Sequence, residues 1–159
     1  MSAVLLTSYI TTGIVSTIIC PELLIKSVSS ITSGLMKSIS YLINISRSDV
    51  ELQKILLASD IDEDIKILKN FIEEEKNIKN NGKTIIECIN NLNKTLFELE
   101  EIVKTITIKI EYNKTIWFSY FRSHNLNNDK ELLSLLINQL KHRFEIMFKL
   151  YSMLKIIDN

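Results

Sequence analysis

The 159-residue sequence predicts an all-α fold, an antiparallel helical bundle of about five to six helices with a long central helix. Apolar residues recur every three or four positions over most of the chain, which is the period of one helix face. Three Gly and one Pro provide too few turn residues for a sheet of many strands. The length and the 46% of apolar residues fit a single domain, 1–159, that buries its own core.

Charged residues are unevenly distributed and divide this domain into two parts. Residues 1–46, which we expect to form a helical hairpin, contain only Glu22, Lys26 and Lys37 as charged residues. Residues 47–159 contain 17 basic and 18 acidic residues, as is typical of amphipathic helices in contact with water. The net charge of zero argues against a nucleic-acid partner, because nucleic-acid binding requires a strongly basic surface.

The first 21 residues contain no charged side chain. A helix of about 20 residues spans the hydrocarbon core of a bilayer, so residues 2–20 could contact a membrane. Seven Ser and Thr residues interrupt the segment, and such small residues are also typical of helices buried in a bundle. Both interpretations remain open, and a signal peptide is not expected because no basic residue precedes the segment. Its candidate interaction residues are Leu5, Tyr9, Ile14 and Ile18.

The next predicted helix begins at Pro21, whose missing N–H would have no partner in a first helical turn. It continues to about Ile45. Its apolar stripe consists of Leu24, Val28, Ile31, Leu35, Leu42 and Ile45. Its opposite face carries Ser27, Ser29, Ser30, Ser33 and Ser40. A face in contact with water normally carries charge, so this Ser-rich face predicts contact with something other than water.

Two shorter helices follow. Ser48 and Asp49 are predicted to cap a helix that ends near Ala58, and Glu51 completes the pattern of a capping box. The dipeptide 59–60 can cap the next helix, whose apolar residues are Ile61, Ile65, Leu68 and Ile72. A polar run then leads to Gly82, which is typical of a turn or a helix end.

The long central helix and the last helix both show heptad spacing, in which apolar residues alternate four and three positions apart. The central series is Ile85, Ile89, Leu92, Leu96, Leu99, Val103, Ile106 and Ile110. The last helix begins near Asp129, and its series is Leu133, Ile137, Leu140, Phe144, Met147, Tyr151 and Leu154. Additional apolar residues widen both stripes, which favours a packed bundle over an isolated coiled coil.

An aromatic segment lies where the central helix would end. Its candidate interaction residues are Trp117, Phe118, Tyr120, Phe121 and Arg122. Three interpretations remain open: the segment closes one end of the core, lies at a membrane interface, or forms the centre of a binding surface for a partner. Arg122 and Arg143 could also pair with carboxylates between Glu98 and Glu111.

Residues with catalytic or metal-binding chemistry do not form a recognisable pattern. Neither His124 nor His142 has the Glu three positions earlier that di-iron bundles use. Cys20 and Cys88 lie far apart and form no Cys-x-x-Cys pair, so we expect no catalytic residue, cofactor or metal. Two cysteines of this kind are typical of a reducing compartment such as the cytoplasm.

The chain contains 27 Ile, 16 Lys and 14 Asn, together with the strings MSAVLLTSYITTG, CPELLIKSV and IEYNKTIWFSYFRSHN. In these features it resembles small uncharacterised helical proteins of mimivirus-like giant viruses. The resemblance implies a viral origin and brings no catalytic residue with it. An uncharged first helix followed by amphipathic helices is also similar in layout to membrane-permeabilising helical cell-death domains, although no motif is shared.

The sequence therefore predicts a non-enzymatic helical bundle that acts through protein–protein contacts and self-associates or has a structural role. The alternative is a membrane-anchored or membrane-permeabilising bundle that uses the uncharged residues 2–20. These two hypotheses differ in whether the first helix meets protein or lipid.

Overall fold

The computed structural model describes residues 21–74, 83–115 and 125–157. They form helices α1 (Pro21–Ile45), α2 (Val50–Ala58), α3 (Ile61–Glu74), α4 (Lys83–Thr115) and α5 (Asn127–Ile157). These residues contain no strand, which confirms the predicted all-α class for the described part of the chain.

One hydrophobic core connects all five helices, and α4 contributes to it along most of its length. The apolar residues of α4 from Ile85 to Ile106 that were noted in the sequence are all buried, while Ile110 is half-buried. The buried residues of α5 are Leu133, Leu136, Ile137, Leu140, Met147 and Tyr151. Helix α3 buries Ile61, Ile65, Leu68 and Ile72.

Helix α1 turns a slightly different face to the core than its sequence predicts. Thr32 and Ile39 are buried, whereas Ile31 and Ile45 are only half-buried. The Thr32 hydroxyl donates hydrogen bonds to the carbonyl oxygens of Val28 (2.9 Å) and Ser29 (3.0 Å) within the helix. Because its polar atom is satisfied locally, Thr32 can pack in the core like an apolar residue.

Helices α1 and α4 run in the same direction. Ser27 contacts Asn93, and the Tyr41 hydroxyl donates to Glu111 Oε1 at 2.5 Å further along both helices. This parallel pair is compatible with the predicted antiparallel bundle, because α2 and α3 together return the chain before α4 begins and consecutive segments therefore alternate in direction. Helices α4 and α5 are antiparallel, since Lys109 pairs with Asp129 at one end and Arg143 bonds Asn91 towards the other.

A polar cap fixes the start of α2. Asp49 is the N-cap of α2, where its carboxylate accepts a hydrogen bond from the Leu52 N–H at 3.0 Å. Ser48 is not the cap, and the predicted capping box is wrong because the Glu51 carboxylate instead lies 3.0 Å from Lys130 Nζ. Asp60 precedes α3 with a left-handed φ of 47°, a conformation that Asp tolerates better than most residues.

Candidate interaction surface

Helix α5 carries a second apolar stripe that faces away from the core. Leu132, Leu135, Ile146 and Met153 are between 39% and 59% exposed. At 100° per residue these side chains lie on one side of the helix, together with polar and half-buried neighbours. We call this set the outer α5 stripe, which consists of Leu132, Leu135, Gln139, His142, Ile146, Leu150 and Met153.

Contacts to α4 hold one side of α5. The Lys109 ammonium lies 2.6 Å from Asp129 Oδ2. Arg143 Nη1 donates to the Asn91 carbonyl oxygen at 2.7 Å and to the buried Thr95 hydroxyl. The predicted pairing of Arg143 with carboxylates between residues 98 and 111 is therefore wrong, because the guanidinium binds α4 one to two turns earlier.

Contacts to α3 hold the opposite side of α5. Lys141 Nζ lies 3.3 Å from Asp64 Oδ2. The rings of Phe71 and Tyr151 meet edge to face with centroids 5.0 Å apart, and Phe71 also contacts Phe148 at 6.1 Å. Such aromatic pairs contribute about 0.5–1.5 kcal/mol beyond the area they bury. With both sides held, the rotation of α5 is fixed and the outer α5 stripe is left facing solvent.

Lys130 joins α5 to α2 and is largely buried. Its ammonium lies 2.9 Å from Asp49 Oδ1 and 3.0 Å from Glu51 Oε2. Burial acts to lower the pKa of Lys130, but the hydrogen bonds and charges of the two carboxylates outweigh it and raise this pKa. This polar cluster therefore fixes the short α2 against the start of α5.

Two grooves flank the outer α5 stripe, which makes its first residues a ridge. A groove of about 650 Å³ lies between α2 and α5, and its lining includes Ile55, Lys130 and Leu135. A groove of about 400 Å³ lies between α4 and α5, and its lining includes the exposed Phe97 and Leu132. A ridge of Leu side chains between two grooves has the shape of a surface that packs against another helix.

The Ser-rich face of α1 is partly explained by contacts within the chain. The Ser27 hydroxyl donates to Asn93 Oδ1 of α4 at 3.1 Å, and the Ser29 hydroxyl donates to Glu73 Oε1 of α3 at 2.7 Å. Gly34 allows close approach as well, since a Cβ there would lie 3.3 Å from Glu100 Oε1. Small residues on α1 thus permit α4 and α3 to pack closely beside it.

Side chains that could bind a metal or act in catalysis lie apart from one another in the part of the chain that the structure describes. No cluster of three or more metal-ligating side chains occurs among the residues that the structure describes. Cys88 is a half-buried free thiol, and burial together with the Glu87 charge raises its pKa, which makes it a poorer nucleophile. Burial also raises the pKa of Asp62, whose Oδ1 atom is buried without a hydrogen bond.

The interaction residues predicted from the sequence lie outside the described residues, so the structure does not test them. They are Leu5, Tyr9, Ile14, Ile18, Trp117, Phe118, Tyr120, Phe121 and Arg122. Across residues 21–74, 83–115 and 125–157, no helix has the length and apolar character needed to cross a membrane.

The outer α5 stripe was missed by the sequence reasoning, although the sequence contains a signal for it. The series 132, 135, 139, 142, 146, 150, 153 repeats every three or four positions beside the core series of the same helix. Comparison of the chain with protein-family models, with curated proteins and with solved structures finds no match.

Proposed function

We propose that the chain is a non-enzymatic helical-bundle protein that acts through protein–protein contacts and self-associates. The observation that supports this best is the outer α5 stripe, an exposed apolar surface along one side of a well-fixed helix. Single exposed apolar residues are normal on monomers, whereas apolar residues that share one side of a helix, here in two groups on either side of Gln139 and His142, are typical of an interaction site. In this proposal the bundle has about five to six helices, α4 is its heptad-patterned centre, and the protein is of viral type.

The two regions predicted from the sequence enter the proposal as further contact surfaces. Residues 1–46 would meet other helices of the same or another chain through Leu5, Tyr9, Ile14 and Ile18. The segment from Trp117 to Arg122 would contribute the aromatic and Arg side chains that dominate binding surfaces.

Light scattering after gel filtration tests the self-association. We expect the apparent mass of the full chain to rise with concentration and to reach that of a dimer or larger oligomer at high micromolar concentration. A monodisperse monomer over the whole range contradicts the proposal. The cytoplasmic location that we propose is tested separately, by finding whether the native protein partitions with soluble, particle or membrane fractions.

The second candidate function is membrane binding through residues 2–20, which the uncharged character of that segment favours. Flotation of the full chain with liposomes tests it, with Ile14→Asp as the variant and Ile108→Asp as a matched control at an exposed residue of α4. If residues 2–20 insert into lipid, only Ile14→Asp abolishes flotation. If they are buried in a bundle, Ile14→Asp instead lowers the free energy of unfolding, because it buries an unpaired charge.

A further inference from the structure

We infer that a second copy of this chain docks antiparallel on the outer α5 stripe, around a twofold axis that passes beside Gln139 and His142. The inference rests on the self-association proposed above and adds the surface and the direction of docking. Three features of α5 point to this arrangement: the symmetry of its apolar residues, the placement of two charges, and the composition of its other flank.

The outer α5 stripe is nearly symmetric about its centre. Three pairs of residues have their sequence midpoints at positions 140 to 141: Leu135 with Ile146, Gln139 with His142, and Leu132 with Leu150. Leu150 is half-buried, and the other five residues are exposed. In a twofold contact, residue i of one copy meets residue j of the other, and j meets i. Antiparallel docking therefore sets apolar side chains against apolar side chains, with an amide and an imidazole facing each other at the centre.

Two exposed charges on one flank of the stripe extend this symmetry. Glu131 and Lys149 are five helical turns apart, so they lie on the same flank, and their midpoint is residue 140. In an antiparallel helix pair, equivalent flanks face each other. Glu131 therefore meets the partner's Lys149, and the same contact forms a second time across the axis. Lys149 now lies 4.0 Å from Glu145 on its own helix, an exposed pair of little energetic value.

The other flank of the stripe disfavours a parallel pairing. It holds Asp129 and Arg143, which already bind Lys109 and Asn91 on α4. In a parallel pair opposite flanks face each other, so Glu131 and Lys149 would meet this flank, where Asp129 and Arg143 are already bound to α4 and offer no new ion pair. Charge complementarity thus selects the antiparallel direction.

The size of the surface sets the expected affinity. The paired part of the stripe, from Leu132 to Leu150, is about 27 Å long at about 1.5 Å per residue. One helix per copy buries less area than the total of about 1,600 Å² that is typical of stable complexes. We therefore expect a weak dimer that forms in the micromolar range.

Charge reversal tests the inference by sedimentation analysis of the full chain. Glu131→Lys and Lys149→Glu should each weaken dimerisation about tenfold, because each replaces two attractive pairs by two repulsive ones. The double variant should return to within about twofold of the wild type, because it restores both pairs in reverse. Lys37→Glu, a matched reversal of an exposed residue on α1, should leave dimerisation unchanged. Far-ultraviolet circular dichroism confirms that each variant is folded.

Cysteine cross-linking tests the direction of docking. A mixture of the Leu135→Cys and Ile146→Cys proteins should form a mixed disulfide dimer, whereas Leu135→Cys alone should not cross-link through its new thiol. If the wild type dimerises but neither charge reversal changes its affinity, docking on α5 is refuted and self-association stands. If the wild type is a monomer at every concentration, both proposals are refuted.

Discussion

Lys130→Met tests whether the polar cluster between α2 and α5 stabilises the fold. The substitution keeps an unbranched apolar stem and removes the ammonium that binds Asp49 at 2.9 Å and Glu51 at 3.0 Å. Helix α2 is nine residues long and is too short to be stable alone, so its position depends on such contacts.

The magnitude follows from the burial of each partner. The Lys130 side chain is 11% exposed and Asp49 is 26% exposed, so their hydrogen bond belongs to the charged, partly buried class that contributes about 1.5–3 kcal/mol. Glu51 is 69% exposed, and such a pair contributes about 0–1 kcal/mol. Asp49 keeps its bond from the Leu52 N–H in the variant. We expect Lys130→Met to lower the free energy of unfolding by about 2 kcal/mol and Tm by about 4–8 °C.

The loss should depend on pH in a defined way. Burial acts to raise the pKa of Asp49, but the Leu52 N–H and the Lys130 ammonium outweigh it, so this pKa is lowered. The stabilisation by Asp49 is therefore present above its unfolded pKa of about 3.9 and is lost as the pH falls through the folded value. The pKa of Lys130 is raised, so the stabilisation by Lys130 is present below its unfolded pKa of about 10.4 and is lost as the pH rises through its pKa in the folded protein.

Urea unfolding followed by circular dichroism measures this difference. The gap between wild type and Lys130→Met should be constant from about pH 5 to about pH 10 and should shrink at lower and higher pH. Lys54→Met removes an exposed lysine that lines the same groove and should change stability by less than about 0.5 kcal/mol. Equal stability of Lys130→Met and the wild type at pH 7, or a gap that does not shrink in acid, would refute the reasoning.

Substitutions at three positions, Leu99, Gly34 and Thr95, test the packing around α4, each by urea unfolding. Leu99 is fully buried, so Leu99→Ala should lower the free energy of unfolding by about 2–5 kcal/mol because it leaves a cavity. Leu99→Met keeps the volume and should lower it by less than about 1.5 kcal/mol. Equal losses for the two variants would show that no cavity forms. Gly34→Ala should stabilise the protein by about 0.5–1 kcal/mol, because Ala favours the helix and the added Cβ meets only the flexible end of Glu100. Gly34→Leu should destabilise the protein. If Gly34→Ala and Gly34→Leu both raise or both lower the free energy of unfolding, this account is contradicted. Thr95→Val should cost about 1–2 kcal/mol by removing one of the two acceptors that Arg143 has on α4, and the cost should vanish in an Arg143→Met background.

The helices themselves could be predicted because their signals are local. The end of α2 at Ala58 and the buried stripe of α3 follow directly from spacing and capping residues. The sequence-based predictions were wrong where a polar side chain could form either of two sets of contacts. Thr32 satisfies its own hydroxyl within α1 and joins the core, and Glu51 binds Lys130 instead of capping α2. Neither choice is visible in apolar periodicity.

The neighbours of each helix could not be predicted, since they depend on contacts far apart in the sequence. The parallel pairing of α1 with α4 rests on Ser27 with Asn93 and on Tyr41 with Glu111. Periodicity identifies the face that each helix buries but contains no information on which helix lies beside it or in which direction. Helices α2 and α3 carry the chain back between the end of α1 and the start of α4. The heptad spacing of α4 and α5 does not indicate this path.

Helix α5 shows why the candidate surface was harder to predict than the fold. Both of its stripes repeat every three or four residues and both are rich in Leu, so periodicity alone does not say which one is buried. The charges beside each stripe decide it. Lys130, Lys141 and Arg143 flank the core stripe, and each of them bonds to α2, α3 or α4. Glu131 and Lys149 flank the outer stripe instead: Glu131 lines the open groove beside α2, and Lys149 pairs with the exposed Glu145 of its own helix, so both charges stay accessible to a second copy.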